Sequence, residues 1–255
     1  MEDTLQALIF YGFVALLVLL RFDARRFGAA DWDDEDANDW RAWARRLSWY
    51  AFALGLVLII YLMHPLPLSV LRLQAGTRLI ETIVVGFALG SIGALMAVAY
   101  AWVRYRDLRL PPLSRYPAGL LTSIGTALVD EAAFRGILLG LLLAFEWPNA
   151  LAIGLQAVVF VLATGIERRQ KPLGITAIYL IMALLAGGVT IASGGIGAAF
   201  VGATMTRLAL FLVTGRAGQM LDVETVQDEA LDASELTPEG WEIVPDHDQT
   251  GGYWH

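Results

Sequence analysis

The chain contains seven long apolar stretches, and their length constrains the fold more than any other feature of the sequence. A helix needs about 18 or more mainly apolar residues in order to cross the hydrocarbon core of a bilayer. Lipid cannot satisfy free backbone N–H and C=O groups, so such segments have to be helical. We therefore predict an all-α, polytopic transmembrane helical bundle of about seven spans. The predicted spans are residues 4–20, 47–63, 79–102, 117–145, 149–165, 173–192 and 195–214.

The charged residues divide the chain into two parts. Residues 1–216 contain all 18 Lys and Arg residues, whereas residues 217–255 contain 10 of the 25 acidic residues and no Lys or Arg. We predict a transmembrane domain over 1–216 and an acidic, flexible tail over 217–255. A nucleic-acid partner is excluded, because phosphate contacts need clustered Lys and Arg. The chain has no Cys, and none of its three His lies within a long apolar run, so we expect no cofactor and no bound metal.

Basic residues alternate between the predicted loops. Thirteen of the fifteen Lys and Arg residues in these loops, Arg21 among them, lie after the first, third and fifth spans, and only Arg72 and Arg78 lie on the opposite side. Lys and Arg prefer the cytoplasmic side of a membrane. We therefore expect the N-terminus outside and the acidic tail in the cytoplasm. The expected location is the cell (inner) membrane of a prokaryote.

Four ionisable residues lie inside predicted spans, where each costs about 2.5–3.5 kcal/mol even on a lenient insertion scale. They are Asp130, Glu131 and Arg135 in the fourth span and Arg207 in the seventh. We expect them to face the bundle interior and to neutralise one another, with Arg207 as the counter-ion of Asp130 and Glu131. The spacing of Glu131 and Arg135 favours an ion pair on one helix face. The pattern alone fits a purely structural charge network as well as a functional site.

The segment from Asp130 to Gly136 reads Asp-Glu-Ala-Ala-Phe-Arg-Gly. It resembles the Glu-Glu-x-x-x-Arg signature of the CPBP intramembrane proteases, a family of CAAX-prenyl-protein endopeptidases and bacteriocin-processing or self-immunity proteins. The resemblance covers a core of about residues 117–214. It implies that Asp130 takes the place of the acid that activates water, and that Glu131 and Arg135 shape the site beside it.

Two further motifs of that family are altered in this sequence. Phe160-x-x-x-Thr164 resembles a Phe-x-x-x-His motif with Thr in place of His. Ala203-x-x-x-Arg207 resembles a His-x-x-x-Asn motif in which both residues differ. A site without either imidazole lacks its best general base, and a carboxylate paired with Arg is a poorer base. We therefore expect a degenerate catalytic site, with Asp130 in the place of the first Glu.

Three functions follow from these observations. The leading hypothesis is a non-catalytic scaffold, chaperone or assembly subunit of a membrane complex, in contact with lipids and with another membrane protein. The acidic tail is the candidate contact with that protein. The alternative is an active CAAX-type endopeptidase that uses Asp130 or Glu131. A transporter or channel is a third hypothesis, because buried acids and Arg also occur in ion pathways.

Overall fold

The computed structural model describes residues 2–29, 40–64, 68–106, 108, 110–165 and 173–214. The acidic tail predicted over 217–255 lies outside the described residues. The α-helices of the described part are α1 (Glu2–Phe22), α2 (Trp40–Met63), α3 (Leu79–Tyr105), α4 (Tyr116–Asp130), α5 (Leu139–Ala144), α6 (Asn149–Gly165), α7 (Leu173–Ser193) and α8 (Gly197–Thr214). A π-helix, Glu131–Leu138, joins α4 to α5 and is called the π segment below.

The prediction of an all-α membrane bundle is confirmed, and the described residues contain no strand. Five helices, α1, α2, α3, α7 and α8, are long and apolar enough to cross a membrane, while α6 is a shorter apolar helix. The remaining predicted span corresponds to α4, the π segment and α5, which form one unbroken helical run. Large apolar side chains cover the outer surface, among them Leu8, Leu62 and Ile80 at 70–78 % exposed. This is therefore an integral membrane protein whose helices contact lipid.

The first helix is longer than the sequence predicted. The expected span ended at residue 20, and Arg21 was counted as a loop residue on the cytoplasmic side. In the structure α1 continues to Phe22, and Arg21 lies in its last turn with only 3 % of its surface exposed. The expectation for Arg21 is wrong, because a guanidinium at the end of a span can also be buried when an internal carboxylate is within its reach.

The most extensive helix contact joins α3 to α8. Gly86, Gly90 and Gly93 form the face of α3 in this contact, and a methyl group at Gly93 would collide with the side chain of Thr206. Small residues let helix backbones approach closely inside a membrane. Because Arg207 follows Thr206 directly, this close packing fixes the height of its guanidinium in the bundle.

The π segment interrupts an otherwise regular helix at the acidic pair. Asp130 is the last residue of α4, and Glu131 is the first residue of the π segment. Successive residues of a helix point in directions about 100° apart, or somewhat less where the turn is wider. The two adjacent carboxylates therefore face different neighbours. Short π segments inside α-helices occur frequently at functional sites.

Candidate functional site

Five charged side chains meet inside the bundle, and we call them the charge cluster: Arg21, Asp130, Glu131, Arg135 and Arg207. Their exposed fractions lie between 0 and 5 %. Four of them are the in-span residues that the sequence singled out, and Arg21 is the addition. The cluster contains three guanidinium groups and two carboxylates, so the neutral balance expected from two acids and two Arg residues is changed by Arg21.

Asp130 is held between two arginines from different helices. The Nε atom of Arg21 donates a hydrogen bond to Oδ1 at 2.7 Å, and Arg207 Nη2 donates one to Oδ2 at 2.5 Å. Bonds between ionised partners are stronger than neutral ones, and both pairs are fully desolvated here. Each carboxylate oxygen of Asp130 therefore has a cationic partner.

Both arginines on Asp130 also lie against aromatic rings. The guanidinium of Arg21 is 5.9 Å from the centre of the Trp49 ring, and that of Arg207 is 5.5 Å from the centre of the Tyr179 ring. Trp49 is itself fixed by a hydrogen bond of 3.3 Å from its indole nitrogen to the Leu20 carbonyl. A cation over a ring face is stabilised by the ring quadrupole, most strongly where water is excluded. These rings hold the two guanidinium groups in position on Asp130.

Glu131 has a different environment. Its Oε1 atom is 3.2 Å from Nη1 of Arg135, whose guanidinium lies 4.1 Å from the centre of the Phe160 ring. Among the described residues, none forms a hydrogen bond with Glu131 Oε2 or Arg135 Nε, although both atoms are buried. Buried polar atoms are normally satisfied by protein or by ordered water. The polar atoms of this pair are therefore only partly satisfied within the protein.

A small cavity lies beside the Glu131–Arg135 pair. Of the two carboxylates, only that of Glu131 lines it, together with Arg135, Arg207, Tyr179, Ala203 and several apolar side chains of α3 and α7. The centre of a water molecule can occupy about 20 Å³ of this cavity. One water needs about 10–15 Å³ on this measure. The cavity therefore has room for about one water molecule and none for a peptide.

The residues at the two altered motifs divide between the cavity and the helix interior. Phe160 and Ala203 line the cavity, and the side chain of Ala203 is only a methyl group. The hydroxyl of Thr164 donates hydrogen bonds to the carbonyls of Phe160 at 2.9 Å and Val161 at 3.2 Å, within its own helix. In the described part of the chain, no group of three or more His, Cys, Asp or Glu residues is placed to hold a metal ion.

A row of polar contacts joins α4 to α2 on one side of the charge cluster. Tyr50 and Thr126 share a hydrogen bond of 2.9 Å between their hydroxyls, and Arg46 Nη1 donates to the hydroxyl of Thr122 at 2.8 Å. Thr122, Thr126 and Asp130 are spaced four residues apart and lie on one face of α4. Thr126 and Asp130 on this face are fully buried.

The opposite end of the helical run is covered by the connection between α2 and α3. Gly136 and Gly140 lie against this connection, and a side chain at either position would meet the backbone around Leu71. Leu71 is fully buried, and the side chain of Leu73 packs directly on Gly136. The charge cluster is therefore enclosed at both ends by parts of the chain that precede α4.

The structure brings most of the predicted site residues together. Arg207 contacts Asp130 and Arg135 contacts Glu131, and the sequence predicted both pairs. Arg21 was missed as a member of the site. The available signal was that Arg21 is flanked by Leu20 and Phe22, so the apolar run continues past the charge.

Comparison with known proteins identifies one family. Residues 112–206 match the model of the type II CAAX prenyl endopeptidase Rce1-like family. This part of the chain is similar to the Rce1-like family. The predicted resemblance to the CPBP group is thereby confirmed, and the matched region includes the acidic pair, Arg135, Phe160, Thr164 and Ala203. Curated proteins and solved structures gave no match.

Proposed function

We propose that this CPBP-type membrane protein is non-catalytic and serves as a scaffold, chaperone or assembly subunit of a membrane complex. The observation that carries the proposal is the environment of Asp130, which occupies the place of the water-activating acid. Each of its oxygens accepts a hydrogen bond from an arginine. A carboxylate that two cations stabilise in its charged form is a poor acceptor for a proton from water.

The rest of the site supports the same function. The cavity beside Glu131 has the volume of about one water molecule, which is too small for an extended substrate. The hydroxyl of Thr164 is directed to carbonyls of its own helix, and Ala203 supplies no proton acceptor. Two histidine positions of the family are therefore filled here, on our assignment, by groups that cannot activate water.

The test is a cleavage assay with a prenylated peptide that ends in a CAAX sequence. The full-length protein is reconstituted in liposomes beside the Asp130→Asn and Glu131→Gln variants. We expect product formation by the wild type to equal that of both variants and of empty liposomes. Cleavage by the wild type that disappears in either variant would overturn the proposal.

One observation favours the alternative function of an active endopeptidase. Glu131 Oε2 has no hydrogen-bond partner among the described residues, and it borders the cavity that can hold a water molecule. A carboxylate next to a bound water is the minimum that general-base hydrolysis needs. If the cleavage assay is positive, loss of activity in Glu131→Gln but not in Asp130→Asn identifies Glu131 as that base.

The proposed orientation places the N-terminus outside and the acidic tail in the cytoplasm of a prokaryotic cell. The support is the alternation of loop charge, although Arg21 and Arg46 are buried and act as internal partners. The chain has no native Cys, so Pro245→Cys gives a single labelling site. We expect a membrane-impermeant thiol reagent to label it only after the cells are opened.

A protein partner is the part of the proposal that needs its own experiment. The acidic tail has 10 Asp and Glu residues and no Lys or Arg, which suits a partner with a basic surface. Purification in mild detergent, with and without residues 217–255, should recover a stoichiometric membrane protein only with the intact chain. If both forms recover the same protein, the contact lies in the transmembrane domain. If neither form recovers a protein, the result argues against an assembly role.

A further inference from the structure

We propose that a cleft between α3 and α7, separate from the charge cluster, binds a phospholipid whose headgroup carries a phosphate and a primary ammonium, as in phosphatidylethanolamine. The cleft lies where α3 begins and α7 ends. The centre of a water molecule can occupy about 220 Å³ of it, against about 20 Å³ in the cavity beside Glu131. This volume admits part of a lipid rather than a single solvent molecule.

The polarity of the cleft changes along the helix axes as the polarity of a lipid does. Thr77, Arg78, Glu81 and Ser193 line the cleft where the two helices begin and end, whereas Val85 and Val189 line it one helical turn further into the bundle. Val85 lies six residues into α3, about 9 Å from its first residue along the axis. The mouth is therefore at the level of the headgroups, and the apolar wall is at the level of the acyl chains.

The charges at the mouth match a headgroup of two opposite charges. Arg78 Nη1 is 2.7 Å from Glu81 Oε1, and the two side chains are 74 % and 63 % exposed. An exposed ion pair of this kind contributes little to stability, so a ligand can displace it easily. The guanidinium suits the lipid phosphate, and the carboxylate can accept a hydrogen bond from a primary ammonium. An anionic headgroup without an ammonium would be opposed by Glu81.

The rim of the cleft is already fixed in the protein. The backbone N–H of Thr77 donates to the Ser193 carbonyl at 3.0 Å, and the Gln74 side chain donates to the Gly194 carbonyl at 2.7 Å. Below the rim, Val85 is 40 % exposed and Ala192 is exposed, so the cleft opens to the surrounding lipid. A preformed opening of this kind can take a lipid from the bilayer without a rearrangement of the helices.

The experiment is native mass spectrometry of the full-length protein, titrated with phosphatidylethanolamine, phosphatidylglycerol and phosphatidylcholine of identical acyl chains. We expect one phosphatidylethanolamine per chain to bind about tenfold more tightly than either of the others, the difference of one charge-assisted hydrogen bond. The Glu81→Gln variant should lose the preference over phosphatidylglycerol. Arg78→Gln should weaken the binding of all three lipids.

A second pair of variants separates the cleft from general lipid contact. Ala192→Leu places a larger side chain in the cleft and should abolish the bound lipid. Ala51→Leu, at an exposed position of α2, makes the same change on an open surface and should leave binding unaltered. Both positions are exposed, so both variants should fold. Equal binding of the three lipids by the wild type, or retained binding by Ala192→Leu, would overturn the proposal.

Discussion

The two acids of the charge cluster are adjacent in the sequence and yet have opposite environments. Asp130 has a guanidinium on each oxygen and does not line the cavity. Glu131 has one arginine, one oxygen without a hydrogen-bond partner among the described residues, and the cavity beside it. The difference arises because consecutive helical residues point in directions about 100° apart. Two neighbouring carboxylates of one motif can therefore differ: one is ion-paired on both oxygens, and the other borders a cavity that can hold a water molecule.

The partners of the two acids also come from different parts of the chain. Arg135 and Phe160, which contact each other beside Glu131, lie within the matched region 112–206. The partners of Asp130 lie outside that region, since Arg21 precedes it by many residues and Arg207 follows its last residue. The two arginines that pair with Asp130 are therefore contributed by segments on either side of the Rce1-like region, and Arg21 comes from α1.

The largest effect should come from Asp130→Asn, which leaves two buried guanidinium groups without a carboxylate between them. Breaking a buried ion pair by removal of one partner costs about 3–5 kcal/mol, and here two pairs are lost together. We expect the free energy of unfolding in detergent to fall by at least that amount. Arg21→Leu and Arg207→Leu should each cost less, because one pair survives. If Asp130→Asn were no worse than either arginine variant, the two-sided network would be contradicted.

Combined variants sharpen this prediction. Asp130→Asn with Arg207→Leu should recover only part of the loss, because Arg21 remains buried without its anion. The triple variant that adds Arg21→Leu removes the whole network and should be more stable than the double variant, since replacing all members of a buried ion network is often nearly neutral. The coupling energies follow from a mutant cycle measured by thermal unfolding, and additive losses would show that the three groups act independently.

The next effect in size is that of Glu131→Gln, and it should be clearly smaller. Gln retains an oxygen acceptor for Arg135, whose guanidinium keeps its contact with the Phe160 ring. One buried ion pair is then lost instead of two, and its charged groups share no hydrogen bond, so we expect a loss of about 1–3 kcal/mol. The measurement is thermal unfolding of Glu131→Gln and Asp130→Asn under identical conditions. Equal losses in the two variants would show that the two acids are equally embedded in the network.

The sequence predicted the bundle well, because the length of an apolar run and the position of charges within it are local properties. It also predicted the contact of Arg207 with Asp130, since no other in-span cation was left without a local partner. It could not predict the separation between Asp130, which has an arginine on each oxygen, and Glu131, which has one arginine and lines the cavity. That separation depends on the helices that lie on each side of the π segment, and on a change of helix type that no residue pattern announces.

Arg21 shows a second limit of prediction from the sequence. An arginine at the end of a span is normally counted with the loop charges, and Arg25 and Arg26 close by strengthen that interpretation. Whether such a side chain turns outward to the headgroups or inward to a carboxylate depends on the distance between α1 and α4, which is a tertiary property. The neutral sum of the four in-span charges also gave no reason to look for a fifth.

The smallest effect should come from Ala203→Val, which tests whether the Glu131 side of the site is loosely packed. Ala203 lines the cavity, where about 20 Å³ can be occupied by the centre of a water molecule. Two added methyl groups would fill part of that space, so we expect the free energy of unfolding to change by less than about 1 kcal/mol.

The matched control is Ala199→Val on the same helix, at a position with no exposed surface. At position 199 the two added methyl groups should lower the free energy of unfolding by about 1–3 kcal/mol, because the closely packed neighbouring side chains have to shift. Unfolding midpoints measured side by side in one detergent decide the matter. Equal destabilisation by both variants would mean that the space beside Glu131 is as tightly filled as the rest of the bundle, and the contrast with Asp130 would then rest on hydrogen bonding alone.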